Sequence, residues 1–170
     1  RWGILSTANI GINKVIPAIQ KASNGVVTAI ASRNKERAAE VASQLNIEKS
    51  YGSYEELLAD DDIDAIYIPL PNQMHAEWAI KCAEAGKATL CEKPLASTAD
   101  EAQTMVDAFK SRGILFAEAF MYRFHPQNQR AQYMVQDGAI GTPQIMSATF
   151  TFALSDPDNI RLSKELAGGA

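Results

Sequence analysis

Cysteine, histidine and excess basic charge are all scarce in this sequence. Its 170 residues include two cysteines and two histidines. Cys82 and Cys91 have no metal-ligand spacing and no disulfide framework around them. Nothing therefore points to a metal site or to a stapled secreted fold. Lys and Arg number 16 against 20 Asp and Glu, a formal net charge of -4. That balance argues against a nucleic-acid or membrane-surface role, since both call for a basic patch. No apolar run approaches the roughly 20 residues that span a bilayer. No basic-then-apolar leader opens the chain, and a cytoplasmic protein is expected. The chain begins at Arg1 without a methionine and stops at Gly168-Gly169-Ala170 in a turn. A longer native chain is expected. Internal repeats and low-complexity stretches are absent too.

What is present is an alternation. Hydrophobic residues make up 46% and charged residues 21% of the chain, ordinary values for a globular protein with a sizeable core. Trp2-Gly3-Ile4-Leu5 reads as a strand, and Val15, Ile16, Ile19 and Ala22 recur at helical spacing after a turn. Val26 to Ala31 is a buried strand, and Asn34 caps a helix through Leu45. Tyr51 to Tyr54 reads as a short strand or turn, Glu55 to Ala59 as a short helix, and Ile63 to Ile68 as a strand. Asn72 caps a helix through Ala85 that Gly86 ends. Ala88 to Cys91 is a strand, Ser97 or Thr98 caps a helix through Ser111, and Ile114 to Glu118 is the sixth strand. Short apolar strands alternating with helices of roughly 10–15 residues predict an α/β fold, a parallel sheet covered on both faces. After Phe120 the rhythm changes. Pro126 to Gln136 reads as a helix, Gly138 and Gly141-Thr142-Pro143 as a turn, and Gln144 to Phe152 alternates like a strand that opens a second domain.

The turn after the first strand has the place of a dinucleotide-binding turn. Such a turn uses small residues so that the backbone can approach a pyrophosphate near a helix N-terminus. Here G-x-G-x-x-G is replaced by Ser6-Thr7-Ala8-Asn9-Ile10-Gly11, small-x-small-x-x-Gly. An ordinary strand-to-helix turn with a capping Ser or Asn would also fit. About 20 residues on, where an NAD enzyme places a carboxylate on the ribose hydroxyls, the chain has Ser32-Arg33, with Arg37 one helical turn further. A hydroxyl and guanidinium groups suit a 2′-phosphate that a carboxylate would repel. The competing reading is a solvated i,i+4 arginine face.

Three further strings end successive strands: Pro69-Leu70-Pro71-Asn72-Gln73-Met74-His75, Glu92-Lys93-Pro94, and Glu118 to Pro126. Parallel topology brings all of them to one sheet edge, where ligands of open α/β sheets bind.

The combination of Ser6-x-Ala8-x-x-Gly11, Pro71-Asn72-x-x-His75, Gly86-Lys87 and Glu92-Lys93-Pro94 resembles the glucose–fructose oxidoreductase / inositol dehydrogenase (Gfo/Idh/MocA) family. Arg1-Trp2-Gly3-Ile4-Leu5 and Ser32-Arg33 look most like its NADP-using, dihydrodiol and xylose dehydrogenase-like members. The likeness runs from Trp2 to Gly169, and the lost first two glycines are its main departure. It implies a Rossmann-type doubly wound domain over residues 1–121 and the start of an α+β substrate and oligomerisation domain over 122–170. It further implies NADP as cofactor in preference to NAD, a sugar, cyclic polyol or related diol as substrate, and a homo-oligomer formed through the second domain.

The same resemblance implies roles for individual residues. Lys93 would stand near the reacting carbon as the catalytic residue, hydrogen-bonding a substrate hydroxyl and helping its proton leave. Ser6, Thr7, Ala8, Asn9, Ile10, Ser32, Arg33, Arg37, Leu70, Asn72, His75, Glu92 and Lys93 would line the cofactor, with Arg161 reaching it from the second domain. Glu92 would accept hydrogen bonds from the nicotinamide ribose. For His75, a plain surface position is the competing reading, and for Arg123, near Tyr122 and His125, a structural ion pair. Whether the Lys93-Pro94 peptide is cis is left open, and Cys91 reads as an inert buried thiol. The family's proton-transfer His or Tyr follows a Gly-Gly-x-x-x-Asp string, which Gly168-Gly169 resembles the start of. The rival functions are a catalytically inactive dinucleotide-binding regulatory or structural protein and a methyltransferase-like domain. Ser32-Arg33 in place of an acidic residue argues against the latter.

Overall fold

A computed structural model describes residues 1–157 and 159–166, and the Gly168-Gly169-Ala170 string lies outside the described residues. Six strands form one parallel sheet: β1 (Trp2–Leu5), β2 (Val27–Ala31), β3 (Lys49–Tyr51), β4 (Ala65–Ile68), β5 (Ala88–Cys91) and β6 (Phe116–Glu118). Their order across the sheet is β3-β2-β1-β4-β5-β6. The order reverses between β1 and β4, which makes this a Rossmann-type doubly wound sheet with its switch point there. The helices between the strands are α1 (Ile16–Lys21), α2 (Lys35–Leu45), α3 (Tyr54–Leu58), α4 (His75–Glu84) and α5 (Ala99–Lys110).

Alternation along the strands divides the core between the two sheet faces. Ile4, Ile30 and Tyr67 pack with Ile16 of α1 and Val41 of α2. Leu5, Ala29, Ala31, Ile66 and Ile68 pack with Leu57 of α3, Trp78 and Cys82 of α4, and Met105 and Phe109 of α5. Sheet and helix approach closely at Gly3, where a Cβ would stand 2.6 Å from Leu57 Cδ2. Local chemistry sets the helix ends. Asn34 Oδ1 accepts from Arg37 N–H at 2.8 Å, Ser53 Oγ from Glu56 N–H at 3.1 Å, and Thr98 Oγ1 from Glu101 N–H at 3.2 Å. Gly86 and Gly113 close α4 and α5 with φ of +73° and +66°, values that favour glycine.

Two local expectations change. The helix after β4 opens with a 3₁₀ turn, Asn72–Met74, before α4 begins at His75, and neither start has a side-chain cap. Proline at position 71 takes the capping place and offers no side-chain oxygen. The alternating segment Gln144–Phe152 forms no strand. Ile145, Met146 and Phe150 are about nine-tenths exposed. No neighbouring strand pairs with this segment among the described residues, and β structure depends on such pairing. A last helix, α6 (Pro126–Gln136), has the expected bounds and buries no residue. Among the described residues, no helix is long and apolar enough to cross a membrane.

Candidate active site at the carboxyl edge of the sheet

Because every strand runs the same way, the loops leaving β1, β2, β4 and β5 emerge side by side. Backbone pairing continues one residue past the strands: Ser6 N–H donates to Ala31 O at 2.9 Å, and Glu92 N–H to Ile68 O at 3.1 Å. The loops therefore start from fixed positions.

The turn after β1 is built around Ser6. In place of the usual glycine, Ser6 holds φ at +114°, a region that disfavours side chains. Its hydroxyl donates to Pro69 O at 3.1 Å and accepts from Ala8 N–H at 3.2 Å. The first contact crosses the switch point from β1 to the β4 loop. Thr7 and Ala8 are half-buried, and Asn9 and Ile10 are exposed. Gly11 is buried, and a Cβ there would meet Pro69, Tyr67 and Ile4 at 3.6–3.9 Å. These are ordinary van der Waals distances, so the position has room for a methyl group. The following helix starts at Asn9 and Ile10, passes through a π-helical turn over Gly11–Val15, with Ile16 N–H donating to Gly11 O, and continues as α1.

At the end of β2, Ser32 is nearly buried and its Oγ accepts from Asn34 N–H at 3.2 Å. Arg33 is exposed. Its only described partner is the Tyr54 hydroxyl, and it joins none of the ion pairs among the described residues. Arg37 differs. Its guanidinium pairs with Glu40 at 2.7 Å along the same helix. Two arginines that read alike in sequence thus separate into one without a carboxylate partner and one with.

The β5 loop holds Glu92-Lys93-Pro94, and the Lys93-Pro94 peptide is cis. Glu92 Oε1 accepts from the Tyr67 hydroxyl at 2.7 Å, and Oε2 accepts from Lys93 N–H at 3.2 Å. Tyr67 is completely buried. Burial and the neighbouring Glu92 carboxylate push its phenol well above the ordinary tyrosine range, so it acts as a fixed donor. Glu118, at the end of β6, accepts from Leu95 N–H at 3.0 Å. Lys93 is exposed, and its ammonium has no hydrogen bond or ion pair among the described residues. Sequence reading gave Tyr67 no role and named Glu118 only as the start of the string after β6. The available signal was a phenol inside an otherwise apolar buried strand, which needs a partner for its O–H, and a carboxylate closing another strand.

The β4 loop brings Leu70 and Asn72 to the same edge, Leu70 buried and Asn72 half-buried. The His75 ring is fully buried, with Nδ1 2.8 Å from Pro94 O and Nε2 2.9 Å from Leu70 O. It lies between the β4 and β5 loops and is not presented at the open edge, where a surface or cofactor-facing ring was expected. Its position at the start of α4 turns it inward.

Arg161 lies in a 3₁₀ turn, Ile160–Leu162, and its described polar contacts are both with Asn159. His125 caps α6, its Nδ1 accepting from Gln127 N–H at 3.2 Å. Arg123 makes no described ion pair, and its carbonyl accepts from Gln129 Nε2 at 3.4 Å. Cys82 and Cys91 are buried free thiols. Burial pushes Cys82 up to about 12 and Cys91 higher still, which leaves both unreactive. Among the described residues no three His, Cys, Asp or Glu cluster as metal ligands.

Comparison with known proteins agrees with this geometry. Residues 1–120 match the family model for the oxidoreductase family with an NAD-binding Rossmann fold. The chain is 49% identical to D-xylose 1-dehydrogenase (NADP(+)) 2 of Haloferax volcanii, over 99% of this chain and 52% of that protein. It is 38% identical to trans-1,2-dihydrobenzene-1,2-diol dehydrogenase of Mus musculus, over 91% of this chain and 47% of that one. A crystal structure of a 3-ketoreductase from Actinomadura kijaniata, in complex with TDP-benzene and NADP, superposes with a TM-score of 0.76 at 38% identity. It covers 83% of this chain and 44% of its own. The chain spans about half the length of the curated relatives it matches. The parallel six-stranded sheet, the strand-end loops and these matches together place the chain in the Gfo/Idh/MocA oxidoreductase family, as its NAD-binding Rossmann portion.

Proposed function

We propose that the intact protein transfers a hydride between NADP(H) and a hydroxyl-bearing carbon of a sugar, cyclic polyol or related diol. The carrying observation is a pair of exposed cations without carboxylate partners, Arg33 after β2 and Lys93 after β5, at one edge of the sheet. The residues suit a phosphorylated dinucleotide. Small side chains at Ser6 and Ala8 let the backbone come close to a pyrophosphate. Ser32 and Arg33 stand where a 2′-phosphate needs a hydroxyl and a guanidinium, with no carboxylate to repel it. Arg37, already paired with Glu40, adds positive potential at longer range. The names and bound molecules of the relatives, NADP among them, point the same way.

When bound, the cofactor supplies the hydride acceptor or donor. The chain's residues do the rest. Leu70, Asn72 and Glu92 line the middle of the edge, and Tyr67 fixes the Glu92 carboxylate. The Lys93 ammonium hydrogen-bonds the reacting oxygen and eases departure of its proton to a separate general base, the role of the His or Tyr of the family. Residues 122–170 begin the second domain, through which the protein pairs with further copies and from which Arg161 approaches the cofactor. The absence of a spanning helix among the described residues fits a cytoplasmic setting.

A panel of sugars, polyols and diols assayed by NADPH absorbance on the full-length protein tests this. The wild-type protein should turn over at least one of them. Lys93→Met should lower turnover by about 100-fold or more, the range of general acid–base contributions, and leave NADPH affinity nearly unchanged. A protein that binds NADPH but turns over none of the panel would favour a catalytically inactive nucleotide-binding role.

A further inference from the structure

His75 is the first residue of α4, and its ring has no exposed surface. One ring nitrogen meets the carbonyl oxygen of Pro94 and the other that of Leu70, at 2.8 and 2.9 Å. Those carbonyls belong to the loops leaving β5 and β4, which are neighbours in the sheet. A carbonyl oxygen only accepts, and a neutral imidazole has a single N–H. A neutral ring would set its bare nitrogen against a carbonyl lone pair at hydrogen-bonding distance. The imidazolium has two N–H groups and satisfies both oxygens.

Taking a charge out of water is unfavourable unless protein dipoles replace the water. This fold does so at a second place. Lys87, 7% exposed, donates from its ammonium to Asp60 O at 2.7 Å and Ile63 O at 2.8 Å. Two carbonyls holding a buried cation is thus a device the domain already uses. The charged groups on the surrounding elements have other partners. Glu92 accepts from Tyr67 and Lys93 N–H, Glu118 accepts from Leu95 N–H, and Glu77 on α4 pairs with Lys81. Lys93 itself is exposed, and the described ion pairs do not include His75.

We infer that His75 is a positioning residue, a doubly donating imidazolium that clasps the β4 and β5 loops and fixes the backbone presenting Lys93, an inference resting on the hydride-transfer function proposed above. Its bond to Pro94 O anchors the Pro94-Leu95 peptide, the second one after Lys93. Glu92 holds Lys93 N–H from the other side, and Glu118 holds Leu95 N–H. The reactive ammonium is left mobile on a stem whose root does not move.

The test uses full-length protein with ¹⁵N-labelled histidine and the NADPH assay. In the wild type, the His75 ring is assigned by through-space contacts to Leu70 and Pro94. Both ring nitrogens should carry protons under the conditions of the NADPH assay. His75→Gln offers its amide N–H groups to one side and an oxygen to the other, so one carbonyl loses its donor. This variant should bind NADPH within about threefold of wild type and lose kcat by about tenfold or more, the loss expected for a hydrogen bond to a charged group. A wild-type ring with one bare nitrogen overturns the clasp, and so does a His75→Gln protein with wild-type kcat. If the variant does not fold, the wild-type ring nitrogens still decide. A wild-type protein that neither binds NADPH nor turns over would refute the function proposed above, while the protonation of the ring would still decide the clasp by itself.

Discussion

Ser6 holds a φ of +114° where the family's turn usually has glycine, and its hydroxyl makes two hydrogen bonds, to Pro69 O and from Ala8 N–H. These features pull in opposite directions when the side chain is changed. A non-glycine residue in such a backbone region costs about 1–3 kcal/mol. Each hydrogen bond contributes about 0.5–1.5 kcal/mol. Ser6→Ala removes both bonds and keeps the strain, so it should destabilise by about 1–3 kcal/mol. Ser6→Gly removes the same bonds and releases the strain, at a cost of roughly 0.5–1 kcal/mol in unfolded-chain entropy. Its net effect should stay within about 1 kcal/mol of wild type. The glycine variant should therefore be the more stable of the two by about 1 kcal/mol, the reverse of the usual order in a strand or helix. Urea unfolding reads this directly, since an m-value of about 1–3 kcal/mol/M turns that difference into a midpoint gap of about half a molar. An alanine variant as stable as the glycine variant, or more so, would refute the claim that Ser6 stores strain offset by its hydroxyl.

Arg33→Asp should weaken NADPH binding by about tenfold to a hundredfold, from charged hydrogen bonds of roughly 1.5–3 kcal/mol, while NADH binding changes little. Fluorescence titration with both cofactors checks this, and equal losses for the two would contradict the 2′-phosphate assignment. Asp60 gives a pH dependence at the opposite edge of the sheet. Its carboxylate accepts from Lys49 Nζ at 2.9 Å and from the Tyr51 hydroxyl at 2.8 Å, and the Lys49 bond above all lowers it to about 2. The folded protein keeps Asp60 ionised down to about pH 2, whereas an unfolded chain takes up that proton near pH ~4. The stabilisation is therefore complete above about pH 4 and fades as pH falls from there toward about 2. Asp60→Asn should flatten that part of the stability–pH curve, followed by thermal unfolding between about pH 5 and about pH 2.

The fold was legible because its signals are local. Apolar runs marked the strands, Asn34 and either Ser97 or Thr98 the helix starts, and Gly86 and Gly113 the helix ends, each through a backbone rule that holds whatever packs nearby. Pro126–Gln136 came out with the expected bounds. Gln144–Phe152 did not behave as its alternation suggested, because a strand depends on a partner that a local pattern cannot supply. Nothing in the sequence reading marked the π-helical turn at Gly11–Val15.

The site was legible as a set of residue types and illegible as a set of orientations. Parallel topology alone brings Ser6, Arg33, Leu70, Glu92 and Lys93 to one edge. It does not say that Arg37 will pair with Glu40 while Arg33 meets no carboxylate, or that His75 will turn inward. The first is a pairing within α2, and the second belongs to a set of ties around the loops: Ser6 to Pro69, Tyr67 to Glu92, His75 to Leu70 and Pro94, Glu118 to Leu95. Apart from His75 to Leu70, which lies within the connection after β4, each tie joins adjacent strands of the sheet, β1 with β4, β4 with β5, or β5 with β6. A loop held before the ligand arrives does not lose further entropy on binding it. Arg33 and Lys93 stand outside this set of ties, at the ends of strands three spacings apart, about 14 Å. Under the function proposed above, a backbone fixed between two exposed cations suits an extended dinucleotide, with its 2′-phosphate at Arg33 and its nicotinamide end, beside which the oxygen of the substrate would react, at Lys93.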